Sequence, residues 1–132
     1  MILSGVAMAH EHYESCISAC HACADACNHC AVSCLFEKQR HELARCIHLD
    51  MDCAEVCRMA ASYMARNSEL AMELCAFCAH VCDMCAEECE RHPMKHCQEC
   101  AKACRACAQE CRAMSVSNRS ASHSQGMGRN SH

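Results

Sequence analysis

The sequence predicts an all-α protein, an antiparallel up-down-up-down four-helix bundle with a Cys-lined core. Three observations predict it. The cysteines recur in alternating steps of three and four residues, Gly is confined to Gly5, Gly126 and Gly128, and the candidate breaks between periodic segments are short. Steps of three and four keep successive side chains on one stripe of an α-helix, the a and d seam that faces the interior of a bundle. The residues between them, chiefly Ala, Glu, Gln, Lys, Arg and Met, are good helix formers, so no strand is needed.

The first helix is expected near residues 8–36, with Cys16, Cys20, Cys23, Cys27, Cys30 and Cys34 on its seam. A break near Lys38 to Arg40 precedes a second helix near 40–66. Its cysteines are fewer, Cys46, Cys53 and Cys57, but the register extends through Leu43, Asp50, Ala60 and Met64. Asn67-Ser68 forms a cap, with Glu69 in the first turn, for a third helix near 68–91 that carries Cys75, Cys78, Cys82, Cys85 and Cys89. His92-Pro93 then opens a fourth near 94–114, because proline suits a helix start, and Cys97, Cys100, Cys104, Cys107 and Cys111 follow. Connections this short force neighbouring helices to run antiparallel. One domain is expected over 1–115, followed by a disordered, Ser-rich tail at 116–132.

Leu, Ile, Val and Phe are sparse, Trp is absent, and the 52% hydrophobic fraction is mostly Ala, Cys and Met, so an aliphatic core cannot be assembled. Cysteine takes 19 of 132 positions, a density that in a short secreted chain would announce a disulfide scaffold. The segment Met1 to Ala9 has no Lys or Arg and too few apolar residues for a secretory core, which predicts a cytoplasmic protein. In that reducing compartment a cysteine-rich pattern points to metal binding or catalysis more often than to disulfides. No run of about 18 apolar residues is present to span a membrane. The formal charge of −4, with the two signs interspersed, gives no basic patch for nucleic acid.

On a helix, side chains four residues apart have β-carbons about 5–6 Å apart, and a two-coordinate ion needs sulfurs separated by twice a ~2.3 Å bond. Cys16/Cys20, Cys23/Cys27, Cys30/Cys34, Cys53/Cys57, Cys78/Cys82, Cys85/Cys89, Cys100/Cys104 and Cys107/Cys111 each offer such a clasp. Three-residue steps set each clasp beside the following one, so thiolates can bridge neighbouring ions and reach across to facing helices. Soft thiolates select Cu(I), Zn or iron–sulfur clusters. Linear coordination suits Cu(I) best, and one Cu(I) per thiolate is neutral, whereas four-thiolate Zn sites would bury two net negative charges each.

A Zn or Cd buffer resembling metallothionein is the alternative. An iron–sulfur redox protein is the weaker one: Cys16-x-x-x-Cys20-x-x-Cys23 matches a cluster spacing of radical enzymes but recurs along whole helices. An enzyme would use one or two isolated cysteines of low pKa in exposed positions, so no catalysis is expected. A core of Cys in place of Leu should also be underpacked when empty.

At one end of the bundle Tyr13, Met64, Met72 and Met114 fall on the inner stripe, with His10 and His12 nearby. Met64, Met114 and His12 are candidates for passing Cu(I) inward, while ordinary gap-filling by Met is the plainer reading. At the other end His92 continues the seam beyond Cys89 and His96 adjoins Cys97, so imidazoles would complete sites with those thiolates. Asp50, on the seam between Cys46 and Cys53, requires a partner such as His92 or His96, or serves as a weak metal ligand. His21, His29, His41, His48 and His80 lie off the seams.

The segments Cys46-Ile-His-Leu-Asp-Met-Asp-Cys53-Ala-Glu-Val-Cys57, Cys85-Ala-Glu-Glu-Cys89 and His96-Cys97-Gln-Glu-Cys100-Ala-Lys-Ala-Cys104, with Cys107 and Cys111, are similar to the bacterial copper storage proteins of the cytosolic branch. The resemblance covers roughly residues 10 to 115. It implies a four-helix bundle that holds multiple Cu(I) ions per chain, often as a homotetramer, and stores or sequesters copper without catalysing a reaction. It also implies ligand roles for the matching cysteines, His92 and His96. Copper chaperones or small-molecule chelators would be the partners.

Overall fold

The computed structural model describes residues 2–126, with side chains from 11 to 114. Helix α1 spans Ile2–Leu35, α2 Ala44–Ala65, α3 Ala71–Glu90 and α4 Lys95–Gly126, and a single 3-10 turn occupies Arg40–Leu43 before α2. No strand occurs among the described residues.

The breaks have identifiable causes. The end of α1 tightens as the Phe36 N–H donates to the Ser33 carbonyl and the Glu37 N–H to the Cys34 carbonyl, both at 3.1 Å. Leu43, 1% exposed, anchors the 3-10 turn, and the α-helix proper begins after it rather than at 40. Asn67 is left-handed, with φ 54°. The Ser68 N–H reaches the Tyr63 carbonyl at 2.9 Å and the Asn67 N–H reaches Met64 at 3.0 Å, a double closure of α2 that a short polar residue tolerates in this conformation. Asn67 therefore terminates α2 instead of capping α3, and α3 starts at Ala71, three residues later than expected. Ser68 Oγ accepts from the Leu70 N–H at 3.0 Å in between. Ahead of α4, the Gln98 side-chain amide donates to the His92 carbonyl at 2.6 Å and closes the turn containing Pro93.

The first and last helices extend beyond the expected bounds. The first helix begins at Ile2 rather than near 8, and α4 continues past 114 to Gly126. Residues 115–125 contain neither Gly nor Pro, so nothing in the backbone interrupts the helix there. Helix thus replaces the tail expected over 116–126, and 127–132 lie outside the described residues.

Each helix packs against two others: α1 on α2 and α4, and α3 on α2 and α4. The diagonal pairs α1/α3 and α2/α4 show no close backbone approach among the described residues. This is the square arrangement that short connections dictate. The interior holds little hydrocarbon: Tyr13, Leu43, Leu49, Met64 and Val81 are its larger apolar side chains, and the rest is Ala and Cys. On the outside, Arg105 of α4 binds Glu90 at 2.9 Å and Asp83 at 3.1 Å on α3, an exposed network that contributes less than about 1 kcal/mol per pair.

Candidate metal centre

Every cysteine is buried, none exposed by more than 1%, and all nineteen are free thiols. The antiparallel register of α1 and α4 sets Cys16 opposite Cys111, Cys20 opposite Cys107, Cys23 opposite Cys104 and Cys27 opposite Cys100, each with sulfurs 3.6 Å apart. Helices α2 and α3 repeat the pattern, with Cys46 to Cys89 at 3.4 Å, Cys53 to Cys82 at 3.6 Å and Cys57 to Cys78 at 3.7 Å. The expected clasps within a helix are present at 3.9–4.0 Å for Cys23/Cys27, Cys30/Cys34, Cys53/Cys57 and Cys78/Cys82. Across the diagonals, Cys27 meets Cys85 at 3.9 Å and Cys57 meets Cys107 at 3.8 Å.

Each clasp is therefore part of a wider array. Cys23 belongs to one group with Cys53, Cys57 and Cys82 and to another with Cys27, Cys53 and Cys104, the sulfurs of each lying within 4.8 Å of one another. Cys20, Cys78, Cys107 and Cys111 form a further group toward one end, and Cys27, Cys85, Cys100 and Cys104 another. Underpacking was expected from cysteine's small volume, but along these rungs the sulfurs lie in contact, 3.4–4.0 Å apart. Burial pushes the Cys34 thiol up to about 11 and also raises Cys97.

Asp50 is fully buried. Its Oδ1 accepts from the thiols of Cys85 at 3.2 Å, Cys100 at 3.3 Å and Cys89 at 3.6 Å, and Oδ2 from Cys46 at 3.9 Å. Burial, aided by the nearby Cys100 and Cys46, pushes its carboxyl up to about 9. The expected pairing with His92 or His96 does not occur, because each imidazole is taken by a carboxylate at the end of the bundle. Asp50 instead sits within a thiol cluster contributed by α2, α3 and α4.

The two histidines differ. His96, in the first turn of α4, places Nδ1 3.6 Å from Cys30, 3.6 Å from Cys97 and 3.9 Å from Cys34, and its Nε2 lies 2.9 Å from Glu37. Cys30, Cys34, His96 and Cys97 thus form a mixed group with ligand atoms within 4.8 Å of one another. The Nε2 of His92 pairs with Glu88 at 2.9 Å rather than with a thiol. Glu88, 2% exposed, also takes Arg45 at 3.0 Å and Arg91 at 2.9 Å. Burial works against the Glu88 carboxylate, yet the hydrogen bonds from His92 and Arg45 hold it below the usual carboxylate range. Sequence reasoning singled out neither glutamate. Glu37 had a readable signal: it stands three residues after Cys34, the next position on the α1 seam. Glu88 falls off its seam and gave none.

At the opposite end the inner stripe carries apolar side chains. Met64 is fully buried, Tyr13 is 9% exposed, and Met72 and Met114 pack half-buried against the core. His12 is exposed, its ring centroid 5.3 Å from that of Tyr13, and the side chain of His10 lies outside the described residues. Met64 and Met114 thus belong to the core, while His12 lies on the surface beside Tyr13.

A four-helix bundle whose interior is lined by free thiols in contact with one another defines a soft-metal thiolate protein. The chain belongs to the copper storage protein family, whose sequence model matches residues 9–116. A Cu(I)-bound copper storage protein of Bacillus is 48% identical and superimposes with a TM-score of 0.76, covering 78% of this chain and 97% of its own. A cytosolic copper storage protein of Streptomyces lividans, captured with five coppers, is 36% identical with a TM-score of 0.79 over 92% of this chain and 99% of its own. A cysteine-rich protein of Bacillus subtilis is 47% identical over 82 residues, 62% of this chain and 76% of that one. Among the described residues no helix is long and apolar enough to cross a membrane.

Proposed function

We propose that this protein stores and sequesters many Cu(I) ions in the cytosol on its core thiolates, the nineteen cysteines serving as ligands, with His96 joining them at one end and Asp50 as a weak oxygen ligand. The observation that carries the reading is the buried sulfur array: nineteen free thiols, most of them within 4.0 Å of another. Any thiol that releases its proton to solvent and takes a Cu(I) ion in its place becomes a neutral S–Cu unit, so the core can fill without accumulating buried charge. Shared thiols let ions bridge neighbouring rungs. The cytosolic description of the Streptomyces relatives and the copper-bound Bacillus relative support the same reading.

The role is binding and release, not catalysis. Copper chaperones or small-molecule chelators supply and withdraw the ions. The exposed Phe36, Leu35, Val32 and Phe77 suit the self-association expected of a homotetramer.

The test is an anaerobic titration of reduced protein with Cu(I) against a chromophoric chelator, beside a parallel Zn titration. Uptake of about 10–20 Cu(I) per chain, outcompeting Zn, is expected. A relative from Streptomyces lividans has been loaded with 10 copper equivalents. Saturation near about four ions, or a preference for Zn, would overturn the reading in favour of a tetrahedral Zn buffer.

A further inference from the structure

The geometry points to Glu37 as the positioning residue that fixes the tautomer and direction of the His96 ring, and so decides which ring nitrogen meets copper at this end of the thiol array. The inference rests on the Cu(I)-storage reading above.

A neutral imidazole carries one N–H and one lone pair, and an ionised carboxylate only accepts hydrogen bonds. Glu37 Oε2 lies 2.9 Å from His96 Nε2, so the ring proton is held on Nε2 and the lone pair on Nδ1. Nδ1 is the atom that faces the thiols of Cys30, Cys97 and Cys34, at 3.6, 3.6 and 3.9 Å. The opposite tautomer would aim an N–H at those sulfurs and leave no lone pair for a metal.

Glu37 is itself placed by the array that it serves. Its backbone N–H donates to the carbonyl of Cys34, one of the three thiols around Nδ1, so the carboxylate and the sulfur are set by one turn at the end of α1. The His92–Glu88 pair shows that a carboxylate on Nε2 is not sufficient. Glu88 also binds Arg45 and Arg91, and it holds His92 within an ion cluster. Of the two imidazoles at this end, only His96 has its second nitrogen shown against sulfur. A carboxylate behind a ligating imidazole is a common way of orienting the ring, and its removal costs about 10–100-fold in metal affinity.

The test uses the full-length reduced chain in two readings. Without copper, long-range 1H–15N correlation of the histidine rings, with His96 assigned by its loss in His96→Ala, should show Nε2 protonated and Nδ1 bare. Glu37→Leu should convert this to a mixture of tautomers, and Glu37→Gln should retain it, because an amide oxygen still accepts from Nε2–H. With copper, a chelator competition followed at the His96 ring nitrogens reads that site alone. Glu37→Leu should weaken it by about 10–100-fold. Competition read at the neighbouring thiols should show no further effect of Glu37→Leu in a His96→Ala background.

Protonation of Nδ1 in the unsubstituted protein, ring signals and affinity unmoved by Glu37→Leu, or an equal loss in the His96→Ala background would each overturn the assignment. If the unsubstituted protein took up no copper, the storage reading would fall, and the copper-free ring measurement would still judge the tautomer.

Discussion

Cys23 of α1 and Cys82 of α3 bring their sulfurs to 4.0 Å across the diagonal of the bundle, although the backbones of these helices make no close approach. Cys53 and Cys104 do the same across the other diagonal, also at 4.0 Å. Sulfur therefore spans the centre of the molecule, where an ordinary bundle would place Leu.

These crossing thiols should matter more for capacity than those at the ends. Cys53→Ala, which removes a sulfur shared by two groups of four, is expected to lower Cu(I) uptake by about two ions, and Cys16→Ala by about one. Native mass spectrometry of the loaded proteins measures both. Equal losses would show that the central sulfurs are not shared.

Asp50 should make the metal-free protein less stable as pH rises. Its carboxyl ionises near 3.8 when unfolded and at about 9 when folded, so between these values the folded chain holds the extra proton. Stability is then fully present below the lower value and is lost as pH rises through the upper one. Asp50→Asn removes this titration and should flatten the dependence, gaining on the order of 1–3 kcal/mol at the alkaline end. Anaerobic urea midpoints from about pH 5 to pH 9 decide it; an equally steep slope in the variant would count against a buried, protonated Asp50.

The cysteine stripe was legible because one physical rule, the 3.6-residue period, fixed which way all nineteen side chains point. The partner of Asp50 was not, because seam position says that a residue faces inward but not which side chains it meets there. His92 lies on the α3 seam, three residues after Cys89, while His96 sits one residue ahead of Cys97; the structure nevertheless gives His96 to sulfur and His92 to Glu88. That outcome depends on Glu37, brought to His96 from the end of α1, and on Glu88, which stands four residues before His92 but off the seam that the register follows. Asn67 was read as a start signal, since Asn serves at both ends of helices, and only its positive φ assigns it to the end of α2.

Glu88→Gln keeps the shape of the side chain and removes its charge from Arg45, Arg91 and His92. A loss of about 1 kcal/mol is expected, reduced in high salt because both arginines are largely exposed. Thermal unfolding at low and high ionic strength measures it. The His96 ring signals should stay in place, since that ring leans on Glu37.

At Asn67 the left-handed backbone allows Gly without penalty, whereas Asn67→Val should destabilise the bundle by about 1–2 kcal/mol. Urea unfolding of both variants is the check. Equal midpoints would mean that the link between α2 and α3 does not hold this conformation in solution.

The sulfur of Cys57 touches those of Cys53, Cys78, Cys82 and Cys107 at 3.7–3.9 Å. A linear bridge needs about 4.6 Å between its two sulfurs, twice the ~2.3 Å bond. A sulfur hemmed in on four sides cannot gain that length by turning its own side chain, since moving away from one neighbour drives it into another. The side chains of its neighbours must turn with it, so an ion lodging at one rung is felt at the sulfurs of the next.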